Sequence, residues 1–201
     1  MPATTSAERT AGRPHTGIGH TGSVIERVGS REVYRNAWMI VREDDIRLQD
    51  GTAGIYGVID KPTMALVIAQ KGELFRLVEQ YRYPIGLRRW EFPQGTAPGT
   101  LDGNEPPPAE LAARELREET GLRAASMTVL GRQDVAPGMS SQRGWVFHAT
   151  GITEGEHERE AEEQDMHSDW FTAEQIETMI LAGEITDAQS LAAWLQLRLR
   201  R

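Results

Sequence analysis

Residues 106–122 constrain the fold of this chain more than any other stretch. Three consecutive prolines at 106–108 can open a helix but cannot lie inside one, and Gly121 is suited to end it. Between them, small and apolar residues recur at helical spacing: Ala109, Ala112, Ala113, Leu116 and Thr120. The pattern predicts a helix with one packed face, which follows a loop rich in Gly and Pro.

Three carboxylates lie at i, i+3 and i+4 near the end of this helix, namely Glu115, Glu118 and Glu119. Each acid at a helix C-terminus costs about 0.3–1 kcal/mol when exposed at low salt, because that end already carries partial negative charge. Two interpretations are open. A hard cation such as Mg²⁺ could bind the three oxygen ligands, or they form a solvated acidic face balanced by Arg114 and Arg117.

The run RELREETGL from Arg114 to Leu122 resembles the end of a Nudix box, GX5EX7REUXEEXGU, where U is aliphatic. Every fixed position of that run matches, and Gly95 in the segment FPQG resembles the preceding glycine. The middle departs from the pattern, since eighteen residues separate Gly95 from Arg114 where the pattern has thirteen. We interpret the difference as an insertion of five residues in the loop 96–108, which leaves the role of Glu105 open.

The resemblance implies an α+β fold, a Nudix-type α/β/α sandwich with a mixed β-sheet. It implies a metal site of Glu115, Glu118, Glu119 and the Gly95 carbonyl for Mg²⁺, with Mn²⁺ as an alternative. Arg114 would hold the carboxylate of Glu118 or Glu119, and Glu118 would also assist catalysis. In the sugar-nucleotide branch of the family a loop Glu is the general base, which implies Glu163 or Glu162 in the acidic run 154–165; that run is otherwise read as a solvated loop.

Residues 23–60 predict short strands, with a hairpin turn at Asp50-Gly51, that bury too little to be stable alone. We expect a small antiparallel sheet. A comparable sheet lies in the dimer interface of Nudix enzymes that hydrolyse sugar nucleotides, so the resemblance implies a homodimer. Residues 61–201 would form the Nudix domain. Residues 1–22 predict a disordered tail, in which GIGHTG lacks the preceding strand that a dinucleotide site needs.

The segments QYR at 80–82 and WEFPQG at 90–95 resemble the sugar-nucleotide branch. They make Arg82, Arg89 and Glu91 candidates for substrate binding. A guanidinium group can donate two parallel hydrogen bonds to the oxygens of one phosphate. The alternative is surface ion pairing of the two arginines with Glu79 or Glu91. Gln142 follows a Pro-Gly element, at a position where ADP-ribose hydrolases usually have Glu. Its side chain can form hydrogen bonds with a ribose or a nucleobase, but it cannot bind a metal as a charged ligand or act as a general base. The aromatic residues Tyr81, Tyr83 and Trp90 would stack on a base or pack within the protein.

Two helices are expected at the end of the chain. The first would run over 173–182, between Thr172 as N-cap and Gly183 as its stop. Thr186 or Asp187 would begin the second. Its predicted apolar stripe, expected to pack against the sheet, comprises Leu191, Trp194, Leu195 and Leu199.

Charge and hydropathy exclude several classes of protein. The net charge of −8 argues against a general nucleic-acid binder. The longest apolar run, 64–69, is far too short to span a membrane. The absence of cysteine excludes disulfides and thiolate metal sites. We expect a cytoplasmic protein without nucleic-acid or membrane partners.

These patterns predict Mg²⁺-dependent hydrolysis of the diphosphate in ADP-ribose or a related nucleoside diphosphate sugar. One alternative is an RNA or dinucleoside-polyphosphate pyrophosphohydrolase, against which the N-terminal sheet and the long C-terminal helix argue. Another is a Nudix domain that senses a ligand without hydrolysis, against which the intact Arg114–Leu122 run argues.

Overall fold

The computed structural model describes residues 24–99, 101, 104–156 and 165–200. The predictions for the tail 1–22 and for Glu162 and Glu163 lie outside these ranges. The described residues form ten strands and three α-helices. The strands are β1 Ile25–Arg35, β2 Ile40–Leu48, β3 Ala53–Asp60, β4 Met64–Lys71, β5 Leu74–Arg82, β6 Leu87–Glu91, β7 Gln94–Thr96, β8 Arg123–Asp134, β9 Arg143–Thr153 and β10 His167–Thr172. The helices are α1 Pro108–Thr120, α2 Ala173–Leu181 and α3 Ala188–Arg198.

The larger sheet is mixed and has seven strands. Its main path runs β10-β5-β4-β9-β8, while β6 pairs with β5 and β7 pairs with β4. Strands β4 and β9 are parallel, and the other pairs are antiparallel. The predicted mixed sheet is confirmed.

Strand β4 is buried on both faces, which explains its unbroken apolar sequence. Because successive strand residues point to opposite faces, Met64, Leu66 and Ile68 join one core and Ala65, Val67 and Ala69 join the other. Helix α1 closes the second core, whereas α2 and α3 close the first. The two cores therefore produce the expected α/β/α layers.

Helix α1 begins and ends where the sequence predicts. Pro108 opens it, and Gly121 caps it in the left-handed conformation with φ 74°. The Gly121 amide donates to the Arg117 carbonyl at 2.8 Å. The short side chains of α1, together with Leu111 and Leu116, let the helix pack closely on β4.

The predicted stripe on α3 is wrong at two positions. Leu195 is 57% exposed and Leu199 is 76% exposed. The buried residues at i, i+3, i+4 and i+7 are instead Ser190, Ala193, Trp194 and Leu197. Ser190 turns inward because its hydroxyl accepts a hydrogen bond from the Phe92 amide at 3.0 Å, a contact that a hydrophobic pattern cannot reveal.

A second sheet of order β1-β2-β3 is antiparallel throughout, as expected, with Gly51 at φ 85° in the β2–β3 turn. Strand β3 joins it to the larger sheet's β8–β9 loop: the Ile59 amide donates to the Met139 carbonyl at 2.8 Å, and the Ser141 amide donates to the Ile59 carbonyl at 3.1 Å. None of the helices within the described ranges combines the length and the apolar character needed to cross a membrane.

Candidate active site

The three carboxylates of α1 are not displayed to solvent as a group. Glu115 is 6% exposed and Glu119 is 1% exposed, whereas the side chain of Glu118 is 20% exposed. A solvated acidic face therefore does not describe Glu115 and Glu119. Buried carboxylates need compensating partners, because desolvation of a charge is expensive.

Arg114 connects these acids to the loop after β7. Its Nη2 donates to Glu115 Oε1 at 2.9 Å and to the Thr96 carbonyl at 3.0 Å. Its Nε lies 3.4 Å from Glu118 Oε2. The sequence predicted a contact with Glu118 or Glu119, and the structure adds Glu115. Arg114 therefore fixes the position of Glu115 relative to the backbone of the preceding loop.

Gly95 lies directly against the Glu115 carboxylate. A Cβ at this position would overlap both carboxylate oxygens of Glu115. Glycine is therefore required for the backbone of β7 and the end of α1 to approach so closely. The β7 backbone thus lies against the Glu115 carboxylate, and backbone carbonyl and carboxylate oxygens are the ligands that a hard divalent cation prefers.

This oxygen-rich arrangement fits a cation that keeps several waters. Within the described ranges, no three His, Asp or Glu side chains are gathered closely enough to hold a metal ion by themselves. An ion at this position would thus need the Gly95 carbonyl and water in addition to the carboxylates. Mg²⁺ coordinates in this way, since it usually binds through one or two carboxylates and retains part of its hydration shell.

A cleft of about 300 Å³ opens beside Gly95. Residues from five parts of the chain line it, among them Lys61, Arg82, Gln94, Gln142 and Asp187. The predicted metal-binding backbone and one of the predicted phosphate-binding arginines thus share one cavity.

Comparison with known proteins identifies the architecture. A NUDIX domain model matches residues 60–194, which is two thirds of the chain. The chain belongs to the Nudix family. A second model, described as a nucleoside diphosphate sugar hydrolase N-terminal domain, matches residues 25–59, the region of β1 to β3.

Relatives of this Nudix hydrolase align along most of their length. An ADP-ribose pyrophosphatase from Mycobacterium tuberculosis is 35% identical over 173 residues, covering 85% of this chain and 82% of the relative. An ADP-ribose pyrophosphatase from Bacillus subtilis is 26% identical over 176 residues, covering 86% of this chain and 92% of the relative. A solved structure described as an ADP compounds hydrolase superposes with a TM-score of 0.75 at 18% identity, covering 88% of this chain and 93% of that one. This last likeness establishes the Nudix fold.

Arg82 makes an ion pair at the boundary of the Nudix cleft. Its Nη2 lies 2.5 Å from Glu91 Oε1, and Gln80 Nε2 donates to the same oxygen at 2.5 Å. The ion-pairing alternative for Arg82 is therefore present in the structure. It does not exclude substrate contact, because the Arg82 side chain remains 40% exposed and lines the cleft.

Glu91 is 1% exposed. Burial raises the pKa of its carboxyl group to about 7; Arg82 opposes this effect and Asp187 adds to it. The folded protein therefore holds a proton on Glu91 that the unfolded chain releases above its ordinary pKa of 4.5. The resulting stabilisation is complete below that value and is lost as the pH rises through about 7.

Replacing Glu91 with Gln is expected to stabilise the protein more at pH 8 than at pH 5, when the variant is compared with the wild type at the same pH. The amide never ionises, so the variant avoids the cost of a buried charge, which amounts to roughly 3 kcal/mol at most for a shift of this size. Urea unfolding at both pH values measures the difference. An equal difference at pH 5 and pH 8 would show that Glu91 does not titrate in this range.

Arg89 lines a second cleft of about 330 Å³, which borders the first at Arg82 and Asp187. Its Nε donates to Thr186 Oγ1 at 3.2 Å, and no ion pair with Glu79 or Glu91 forms within the described residues. Glu79 instead pairs with Arg88 at 2.9 Å. Arg82 and Arg89 thus serve adjoining cavities.

Gln142 is buried in the wall of the first cleft. Its Nε2 donates to the Pro62 carbonyl at 2.9 Å. The amide therefore holds the segment between β3 and β4 in place. Glu105, whose role the sequence left open, accepts a hydrogen bond from the Thr63 amide at 2.8 Å in the same segment.

The aromatic candidates differ in their surroundings. Trp90 packs edge-on against Phe171, with ring centroids 4.9 Å apart. Tyr81 is 49% exposed and Tyr83 is 85% exposed on the single chain, so neither packs into its core.

Sequence reasoning missed Lys61 and Gln94 and assigned Asp187 only to a helix cap. Asp187 does begin α3, where its Oδ2 accepts from the Ser190 amide at 2.7 Å; the same oxygen accepts from Gln94 Nε2 at 2.9 Å. The cap was visible as Asp three residues before Ser190. The link to Gln94 depends on tertiary structure alone.

Replacing Asp187 with Ala is expected to destabilise the protein by about 1 kcal/mol, the usual cost of losing an N-cap. Asp187→Asn is the matched control, because Asn also caps helices well and should lose much less. Urea unfolding of both variants tests the expectation. Equal losses for Ala and Asn would show that the negative charge matters more than the cap.

Proposed function

We propose that this Nudix hydrolase cleaves the diphosphate of ADP-ribose or a related nucleoside diphosphate sugar, giving a nucleoside monophosphate and a sugar phosphate. The names of the relatives from M. tuberculosis and B. subtilis support this substrate class. The observation that carries the proposal is the first cleft, which Arg82 and Gly95 line together while Gly95 packs on Glu115. A diphosphate in this cleft would meet a guanidinium on one side and the acids of α1 on the other.

Hydrolases of this family generally require a divalent cation. Glu115 and Glu119, assisted by Glu118 and the Gly95 carbonyl, would hold it, and when bound it would neutralise and orient the diphosphate. We propose Mg²⁺, with Mn²⁺ as an alternative, because all of these ligands are oxygen atoms.

The side chains of the chain would divide the remaining work. Arg114 holds Glu115 and Glu118 in position through the contacts described above. Arg82 and Arg89 would bind phosphate oxygens in the two adjoining clefts. Glu91 would set the orientation of Arg82 through their ion pair, and Gln142 would shape the cleft wall.

A water molecule would attack one phosphorus of the diphosphate, and the other phosphate would leave. Glu163 or Glu162 would accept the proton of that water as general base. Both residues lie outside the described ranges, so the assignment rests on the family resemblance and on their position in the acidic run before β10. The variants Glu163→Gln and Glu162→Gln should show which residue is the base, since only replacement of the general base should lower kcat strongly.

A substrate panel tests the proposal directly. ADP-ribose, other sugar nucleotides, dinucleoside polyphosphates and capped RNA are each incubated with the wild type and Mg²⁺, and the products are separated by chromatography. AMP and ribose 5-phosphate from ADP-ribose are the expected products. Preferred cleavage of capped RNA or dinucleoside polyphosphates would support the first alternative. Tight binding of ADP-ribose without cleavage would support the ligand sensor.

A homodimer formed through β1 to β3 is part of the proposal. This sheet exposes large apolar side chains, among them Val28 at 51%, Val33 at 54%, Trp38 at 50% and Ile55 at 67%. Several large exposed apolar side chains in one small sheet and its connecting turn are typical of a protein–protein interface. Light scattering coupled to size exclusion tests it, and a monomer at micromolar concentration would contradict it.

The cytoplasmic location stays a prediction that cell fractionation can test.

A further inference from the structure

Lys61 is one of only two lysines in the chain, against twenty arginines. It follows β3 directly, and its half-buried side chain lines the first cleft. The other lysine, Lys71, is exposed at the end of β4 and pairs with Glu154 at 2.9 Å. The two lysines therefore occupy opposite environments.

Lys61 has no carboxylate partner among the described residues within the distance of an ion pair. Its neighbour Asp60 pairs with Arg42 at 2.7 Å, and Asp187 across the cleft accepts its hydrogen bonds from Gln94 and Ser190. Burial lowers the pKa of the Lys61 ammonium, and the charge of Arg82 lowers it further. Two cations that share a small cleft repel each other, and an anion between them would relieve the repulsion.

We propose that Lys61 determines substrate affinity by binding the diphosphate together with Arg82. This assignment rests on the proposed function, since it adds one contact within the same cleft. Arg82 is already bound to Glu91, whereas Lys61 supplies a positive charge for which the described residues offer no acid within ion-pair distance. A lysine ammonium offers three donors that can follow the oxygens of a diphosphate.

Lys61 and Arg82 would approach the diphosphate from different segments of the chain. Lys61 approaches from the segment between the N-terminal sheet and β4, which Gln142 holds through Pro62 and Glu105 holds through Thr63. Arg82 approaches from the end of β5. Two separate segments would thus bind the diphosphate in the cleft that the β7 backbone also lines.

Kinetics of three variants test the assignment. Lys61→Met removes the charge but keeps the length of the side chain, and KM for ADP-ribose is expected to rise roughly 10-fold or more while kcat changes less than about 3-fold. Lys61→Arg retains the charge and should recover most of the affinity. Lys71→Met is the matched control and should leave both constants unchanged. A KM for Lys61→Met within about twofold of the wild type would overturn the proposal.

Chemical labelling of the wild type gives a test that does not depend on folding of a variant. N-hydroxysuccinimidyl acetate acetylates both lysines, and peptide mass spectrometry follows each of them separately. Methylenediphosphonate with Mg²⁺, a diphosphate that cannot be hydrolysed, should slow the labelling of Lys61 at least several-fold and leave Lys71 unchanged. Equal labelling of Lys61 with and without methylenediphosphonate would overturn the proposal.

The two tests separate failure of this inference from failure of the proposed function. If ADP-ribose is hydrolysed but Lys61 is not protected, the inference is wrong and the proposed function stands. If ADP-ribose is not hydrolysed but methylenediphosphonate protects Lys61, the substrate assignment is wrong and Lys61 remains a diphosphate ligand.

Discussion

Replacing Glu119 with Gln is expected to lower kcat/KM for ADP-ribose by roughly 10³-fold, because the charge proposed to hold a divalent cation is lost while the shape of the side chain is kept. Glu119 is 1% exposed, so its carboxylate is held by the surrounding protein. Initial rates over a range of Mg²⁺ concentrations measure the effect. The concentration required for half-maximal rate should rise in the variant.

Glu110→Gln provides the matched control. Glu110 lies in the first turn of the same helix and is exposed, so this variant changes the net charge equally without touching the proposed site. Circular dichroism establishes that both variants fold. Glu119→Gln activity within about threefold of Glu110→Gln would contradict the metal site.

Replacing Gly95 with Ala is expected to lower kcat/KM by roughly 10²-fold, since displacement of a catalytic group by about 1 Å has effects of that size. The added methyl group would overlap the Glu115 carboxylate, and that carboxylate must move away from the β7 backbone. Crowding a packed position in this way also costs about 1–3 kcal/mol of stability. Initial rates and urea unfolding measure the two effects.

Gly57→Ala is the matched control for Gly95→Ala. Gly57 lies in β3, and a Cβ at that position meets nothing within 4 Å. The control should retain full activity. Full activity of Gly95→Ala would show that Glu115 can move without loss of function, and it would remove Gly95 from the proposed site.

Local signals predicted the elements around the site well. The prolines at 106–108 and Gly121 act on their own backbone, so α1 could be bounded from sequence. The cap at Thr172 likewise depends on residues within one turn, and the structure shows its complete capping box.

Contacts between distant segments could not be predicted in this way. Leu195 and Leu199 fit an apolar stripe, yet α3 buries Ser190 instead because the Phe92 amide needs an acceptor. Gln142 was expected to face a substrate, and its amide proves to be bonded to the Pro62 carbonyl, 80 residues earlier in the chain. Single-sequence patterns carry no information about such partners.

The sequence by itself determined the helix that carries Glu115, Glu118 and Glu119, because caps, turns and periodicity act over a few residues, and its Arg114–Leu122 run carried the resemblance to the Nudix family. The order of the strands in the sheet came from the tertiary structure. Tertiary structure alone decided that Gly95 touches Glu115, that Arg114 reaches Glu115, and that Lys61 faces Arg82 in one cleft. These relations arise from chain segments up to 21 residues apart, and only the packing of α1, β5 and β7 around β4 fixes their distances and hence their electrostatics.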